Sequence, residues 1–219
     1  MPFTIEQFLE VFRNYNLAVW PMPVALYVMA VFAVFFGTRK APASDKVVSF
    51  ILAFFWLWMG VVYHISFFAD INKVAYLFGA LFIVQGAMFF YHKKDLVFRF
   101  HRDVYGIMGA VLMFFGMVAY PAWSYFNGHD FPASPTFGLP CPTTIFTFGM
   151  LLWTDKKCPP SLLVIPFLWS LVGFSAALLL GMTEDLGLLV AGLAATFLLV
   201  RRGRAHVPAA LSAEKGIGS

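Results

Sequence analysis

Two short stretches hold most of the residues in this chain that could do chemistry. YHISFFADIN, residues 63–72, sets Tyr63 beside His64 and closes on Asn72. An imidazole can ligate a metal, shuttle a proton, or stay neutral in a hydrogen-bonded core. GLPCPTTIFTFG, residues 138–149, holds Cys141 between Pro140 and Pro142, with Thr143 and Thr144 next in line. The prolines predict a helix beginning at Pro142, with Cys141 as its cap. The partial positive charge of that helix end favours a thiolate, so Cys141 is a candidate nucleophile or soft-metal ligand. Gln85 and His129 complete the set. The expected ligand-binding residues are Tyr63, His64, Asn72, Gln85, Cys141, Thr143 and Thr144. His64, His129 and Cys141 form the candidate set for a soft metal ion, the one cofactor the sequence suggests.

Each of these residues also has a purely structural reading. His64 serves equally as a neutral core histidine, and Gln85 as a hydrogen-bonding bridge between helices. Asn72, Glu184 and Asp185 suit helix N-termini, where short polar or anionic side chains satisfy free N–H groups. Cys141 has no partner within reach, since Cys158 falls across the expected membrane, and a packed, inert thiol fits it too. His92, His101 and His206 sit among basic residues and read as solvated.

The solvent around these groups follows from composition. Hydrophobic residues make up 61% of the 219, charged residues 12%, and mean hydropathy is +0.80. Soluble domains run at about 45–50% and about 25%. The fold class is therefore an all-α membrane protein. A helix crossing about 30 Å of hydrocarbon needs about 20 apolar residues. Candidate spans are 17–37, 47–69, 74–91, 104–126, 142–154, 161–182 and 186–200, a seven-transmembrane-helix bundle. The fifth is short, about 18 Å of helix. The loop before it should descend into the protein, where non-helical backbone is tolerated at membrane depth.

Orientation follows from the basic residues. Arg39, Lys40, Lys46, Lys93, Lys94, Arg99, Arg102, Lys156, Lys157, Arg201, Arg202, Arg204 and Lys215 are 13 of the 15, and all fall on one side of a seven-span chain. Arg13 and Lys73 remain for the other. Lys and Arg concentrate on the cytoplasmic side, which sets the N-terminus outside and the C-terminus inside. The net charge of +4 thus reflects topology, and nucleic acid is not an expected partner. Residues 1–16 predict an amphipathic interfacial helix opened by a Thr4/Gln7 capping box. Residues 17–200 form the membrane domain and 201–219 a disordered cytoplasmic tail. There is no internal repeat of the transporter kind, phosphate-binding Gly-rich loop, nucleophile elbow or HExxH. The seventh span has no lysine for a retinal Schiff base, and no second histidine matches His64 in depth for a haem.

The leader MPFTIEQF, YHISFFADIN (63–72) and PCPTTIFTFG (140–149) together resemble an uncharacterised bacterial family of multi-pass integral-membrane proteins. The resemblance covers most of the chain except the tail and implies no activity. The expected location is the bacterial cytoplasmic (inner) membrane, with the lipid bilayer as partner and a homo-oligomer as an open possibility. The expected function is an outward-facing polar pocket between the second, third and fifth spans that binds or transports a small solute or ion. The alternatives are a membrane-embedded enzyme using a thiol or a metal, and a structural subunit without chemistry.

Overall fold

The computed structural model describes residues 2–155 and 158–215, apart from the side chains of residues 42 and 204–215. Lys156 and Lys157, which enter the orientation count, lie outside the described residues, as do Met1 and residues 216–219 of the expected tail. The described chain is helical, with no strand beyond isolated bridges pairing Phe98 with Thr154 and Phe137 with Leu139. The helices are α1 (Ile5–Ala18), α2 (Met22–Gly37), α3 (Pro42–Trp58), α4 (Ala75–Tyr91), α5 (Val104–Phe114), α6 (Tyr120–Phe126), α7 (Pro140–Leu152), α8 (Ser161–Leu180) and α9 (Leu186–Lys215). Met59–Ile65 extends α3 as π-helix, and Phe115–Ala119 joins α5 to α6 in the same way.

Five stretches are long and apolar enough to cross a membrane: Ala43–Asp70, Ala75–Lys94, Val104–Phe126, Ser161–Leu180 and Thr183–Gly203. A sixth is reached if α1 and α2 count as one broken span; they meet at 84°. That bend corrects the first expected span, because residues 17–21 leave the axis of α2. α9 runs to Lys215.

α1 opens as the sequence predicts. Thr4 Oγ1 accepts from the Gln7 amide at 3.3 Å, and Gln7 Oε1 accepts from the Thr4 amide at 2.9 Å. Its apolar face packs on protein: Phe8, Val11, Phe12 and Tyr15 are buried in one cluster with Tyr63, Phe68 and Leu139. α7 is the central helix. Every residue from Pro142 to Leu152 is buried, and only Cys141 is half-exposed. A helix too short to span is thus wrapped by its neighbours, with little need to match the thickness of lipid. Small residues permit that wrapping. A Cβ on Gly109 of α5 would stand 2.7 Å from the Gly149 carbonyl oxygen of α7, and one on Gly60 would stand 2.8 Å from that of Gly79. Such close backbone approach is the usual device for packing helices in a membrane, where no hydrophobic effect drives them together.

Asp45, Arg99 and Arg202 meet at one end of the bundle. There the segment around Phe98 pairs with the end of α7: Arg99 N donates to Trp153 O and Asp155 N to Val97 O. Asp45 accepts from Arg99 at 2.6 Å and from the Phe98 amide at 3.0 Å. Arg202 of α9 donates to Leu152 O at 3.2 Å and Thr154 Oγ1 at 2.8 Å.

Candidate functional site

The opposite end is built around a cavity of about 150 Å³. Its walls come from the π segment of α3, from α4, from the start of α7, and from α8. α1 covers it with Phe8 and Phe12, and the segment before α1 adds Phe3. Two anchors hold that cover in place. Trp58 Nε1 donates to Tyr15 Oη at 2.7 Å. Asn16 donates to Pro132 O at 2.7 Å and Ser134 O at 2.9 Å, and accepts from Thr136 Oγ1 at 2.8 Å.

Both π-helical segments lead to this site. One carries Tyr63 and His64. The other precedes Tyr120, whose hydroxyl donates to Asp185 Oδ1 at 2.6 Å. π-helical turns are costly and concentrate at functional sites, because the extra residue re-aims the side chains that follow. Asp185 is 1% exposed and Glu184 0%. They close a short 3₁₀ turn, Thr183–Asp185, that leads into α9, where a carboxylate complements the helix dipole. Glu184 is fully engaged, accepting from Asn127 at 3.2 Å and facing His129 Nδ1 at 3.2 Å. Asp185 is not: Oδ2 is buried without a hydrogen bond. It lines the cavity together with Cys141, whose thiol neighbours Asp185, Tyr120 and Trp169.

His64 lies behind the cavity wall, 0% exposed, and neither ring nitrogen has a partner. Five rings surround it: Tyr63, Phe68, Phe78, Phe82 at 4.6 Å between centroids, and Trp169 at 5.0 Å. The Trp169 indole N–H is likewise buried and unpaired. Few buried polar groups in folded proteins stand alone, so two in contact mark the region as unusual.

The structure brings Tyr63, Asn72 and Cys141 to the cavity and sets His64 just behind it. The remaining expected residues serve elsewhere. Gln85 bonds Leu162 O at 3.1 Å and bridges α4 to the start of α8. Asn72 Oδ1 accepts from the Val74 amide at 3.1 Å, a turn-stabilising contact made from the cavity rim. Thr143 is buried and accepts from the Gly138 amide at 3.0 Å, holding the turn into α7. Thr144 is buried with its hydroxyl unpaired. His129 pairs with Glu184, so the expected set of His64, His129 and Cys141 is not assembled. Among the described residues no three His, Cys, Asp or Glu side chains converge to hold a metal ion.

Cys141 also differs from its expected position. Leu139 is the N-cap and the helix begins at Pro140, so Cys141 occupies the second helical position. The fixed φ of proline suits the first turn, and Gly138 at φ +100° makes the reversal that allows it. Cys158, the other thiol, lies between α7 and α8, where burial pushes it up to about 12 against the opposing pull of Arg202.

Three site residues carried little signal in the sequence. Tyr120 and Trp169 look like ordinary span aromatics, and Asp185 like a helix-opening residue. The usable clue was depth: a buried Tyr or Trp needs a partner for its polar atom, and Trp169 lies mid-span, away from the interfaces where Trp collects. No curated protein and no solved structure matches the chain. A family does: residues 5–208 match DUF6064, a family of unknown function, over nearly the whole length, and the chain belongs to it.

Proposed function

We propose that this is a multi-pass integral membrane protein whose Asp185–Cys141 cavity binds a small solute, for carriage across the membrane or for sensing. One observation carries the reading: a buried carboxylate with one oxygen lacking a hydrogen bond lines a cavity roofed by a helix set at 84° to the next. A packing-only scaffold gains nothing from an unsatisfied buried carboxylate, which costs free energy wherever it has no partner. The expected pocket was polar; this one is mainly aromatic with one polar corner, which suits a solute with an apolar body. α2 and α7 complete seven passes, with the cavity end outside and the basic end cytoplasmic by the excess of Lys and Arg. The buried run Phe137–Pro140 supports a partly re-entrant loop before the fifth pass. A bacterial cytoplasmic membrane fits this orientation.

Cys141 in the same cavity supports a second reading, a membrane-embedded thiol enzyme, in which the bound solute would be modified. Both readings share one test. In intact cells with Cys158 replaced by alanine, external N-ethylmaleimide should label Cys141, and Ala176→Phe, which fills the cavity, should block labelling. Reporters after residues 40 and 95 should read cytoplasmic, and one at 128 external. Labelling unaffected by Ala176→Phe, or a reversed reporter pattern, would overturn the proposal. Release of a modified product would select the enzyme.

A further inference from the structure

We infer that the cavity takes a small organic cation, an ammonium group on a compact apolar body, with its charge on Asp185 and its body against the aromatic wall. This rests on the pocket reading and names its ligand class. Tyr120 donates to Oδ1, so that oxygen acts as an acceptor; Oδ2 is buried with no nitrogen or oxygen donor on it, and Asp185 lines the cavity beside the Cys141 thiol. Among the described residues no Lys, Arg or His lines the space. Basic side chains at this end are engaged elsewhere: Arg13 with Glu10 at 3.2 Å, Lys73 with Ala69 O at 3.0 Å and His129 with Glu184 at 3.2 Å. The N-terminus of α9 offsets only about half a charge. A carboxylate in so dry a place is costly unless a proton or a cation neutralises it, and no described cationic side chain reaches it, so a cationic ligand would relieve that cost.

An anion fits poorly. α7 points its N-terminus at the cavity, but Pro140 and Pro142 have no N–H. Of its first three positions only Cys141 keeps a donor, so the usual anion cradle of free amides is absent. A hard inorganic cation also fits poorly, because it demands about six oxygen ligands. Two other oxygens on the wall are committed: Asn72 Oδ1 to the Val74 amide and the Ser175 hydroxyl to Val172 O at 2.5 Å. What remains is one carboxylate, beside the Cys141 thiol and the Trp169 indole N–H, among rings of Tyr63, Phe68, Phe78 and Trp169. Aromatic rings beside an anion are the setting in which alkylammonium groups bind. A space of about 150 Å³ suits a benzene-sized body, hence about five to seven non-hydrogen atoms.

The test uses the full chain in lipid nanodiscs, titrated with tetramethylammonium, choline and 3,3-dimethylbutan-1-ol, the uncharged isostere of choline. Binding is read by quenching of Trp fluorescence and by the shift in thermal midpoint. The expected result is saturable binding of the cations, with the isostere at least tenfold weaker. Asp185→Asn should reduce cation affinity at least tenfold and leave the isostere unchanged; Trp169→Leu should weaken both. The charge comparison on the native protein needs no variant, so it stands even where a variant fails to fold. Equal binding of choline and its isostere would overturn the cation inference and leave the pocket reading intact. Binding of neither cation would also overturn it, and the maleimide experiment would then decide the fate of the pocket.

Discussion

At its basic end the bundle closes on a network in which side chain after side chain finds a partner. Asp45 takes Arg99 and the Phe98 amide, Arg202 takes Leu152 and Thr154, and Trp153 Nε1 donates to Gly106 O at 2.9 Å. At the other end His64, Trp169 and one oxygen of Asp185 are buried without partners, beneath a helix joined to the rest by an 84° bend. The same chain therefore satisfies its polar groups where it needs only to hold together. Single orphaned oxygens occur elsewhere, on Gln85, Thr144 and Thr196, but among the described residues only at the cavity do three unsatisfied side chains gather around one space. Stability conceded at one place within an otherwise well-satisfied structure is a common mark of a functional site.

The largest expected effect is at the satisfied end. Asp45→Ala leaves the buried Phe98 amide unpaired and the partly buried Arg99 guanidinium with the Phe98 carbonyl alone. Losing a charged acceptor shared by two donors costs about 2–4 kcal/mol, so the thermal midpoint in detergent should fall by more than for any cavity variant. A small change would erase the contrast between the two ends. Next comes the α5–α7 contact. Gly109→Val would force a side chain to within 2.6 Å of Trp153 and 2.7 Å of the Gly149 carbonyl oxygen. Overpacking of that kind costs about 1–3 kcal/mol. Unchanged stability would show that these helices are not held at their close spacing.

His64→Leu sharpens the comparison from the other side. It replaces two orphaned ring nitrogens with an apolar side chain among rings, a change expected to be neutral or to stabilise by up to about 1 kcal/mol. Thermal unfolding with and without the best-binding cation checks it. A loss of more than about 2 kcal/mol would mean that the imidazole has a partner, such as a buried water.

Much of the bundle was readable from the sequence, because long apolar runs and clustered basic residues are strong signals. The Thr4–Gln7 box and the helix start beside Cys141 were readable too, from side-chain chemistry that acts locally. The bend at 19–21 was not, because apolar residues continue through it. The π-helical turns were invisible for a related reason. They re-aim Tyr63, His64 and Tyr120 without changing composition, and apolar periodicity is weak in helices that are hydrophobic all round. Gln85 and His129 show the limit of grouping polar residues by depth. One was placed mid-span and the other in the loop 127–141, yet the first ties α4 to α8 and the second pairs with Glu184.

The smallest expected stability effect belongs to Cys141, and it bears on how the cover works. Cys141 is not the cap of α7, since Leu139 holds that position. Cys141→Ser therefore changes no capping bond and should shift stability by less than about 0.5 kcal/mol. Its effect should appear in reactivity. In a Cys158→Ala background, movement of α1 away from Tyr63, Phe68 and Leu139 would widen access to the half-exposed Cys141, a local opening that needs no global unfolding. Asn16 joins α1 to the loop at 132–136 through three hydrogen bonds. Asn16→Ala should thus raise the rate of N-ethylmaleimide labelling several-fold while the thermal midpoint falls only modestly. A saturating cation should slow labelling by occupying the space beside the thiol. If Asn16→Ala leaves the rate unchanged, α1 does not gate the cavity, and Cys141 is reached by another path, between the helices.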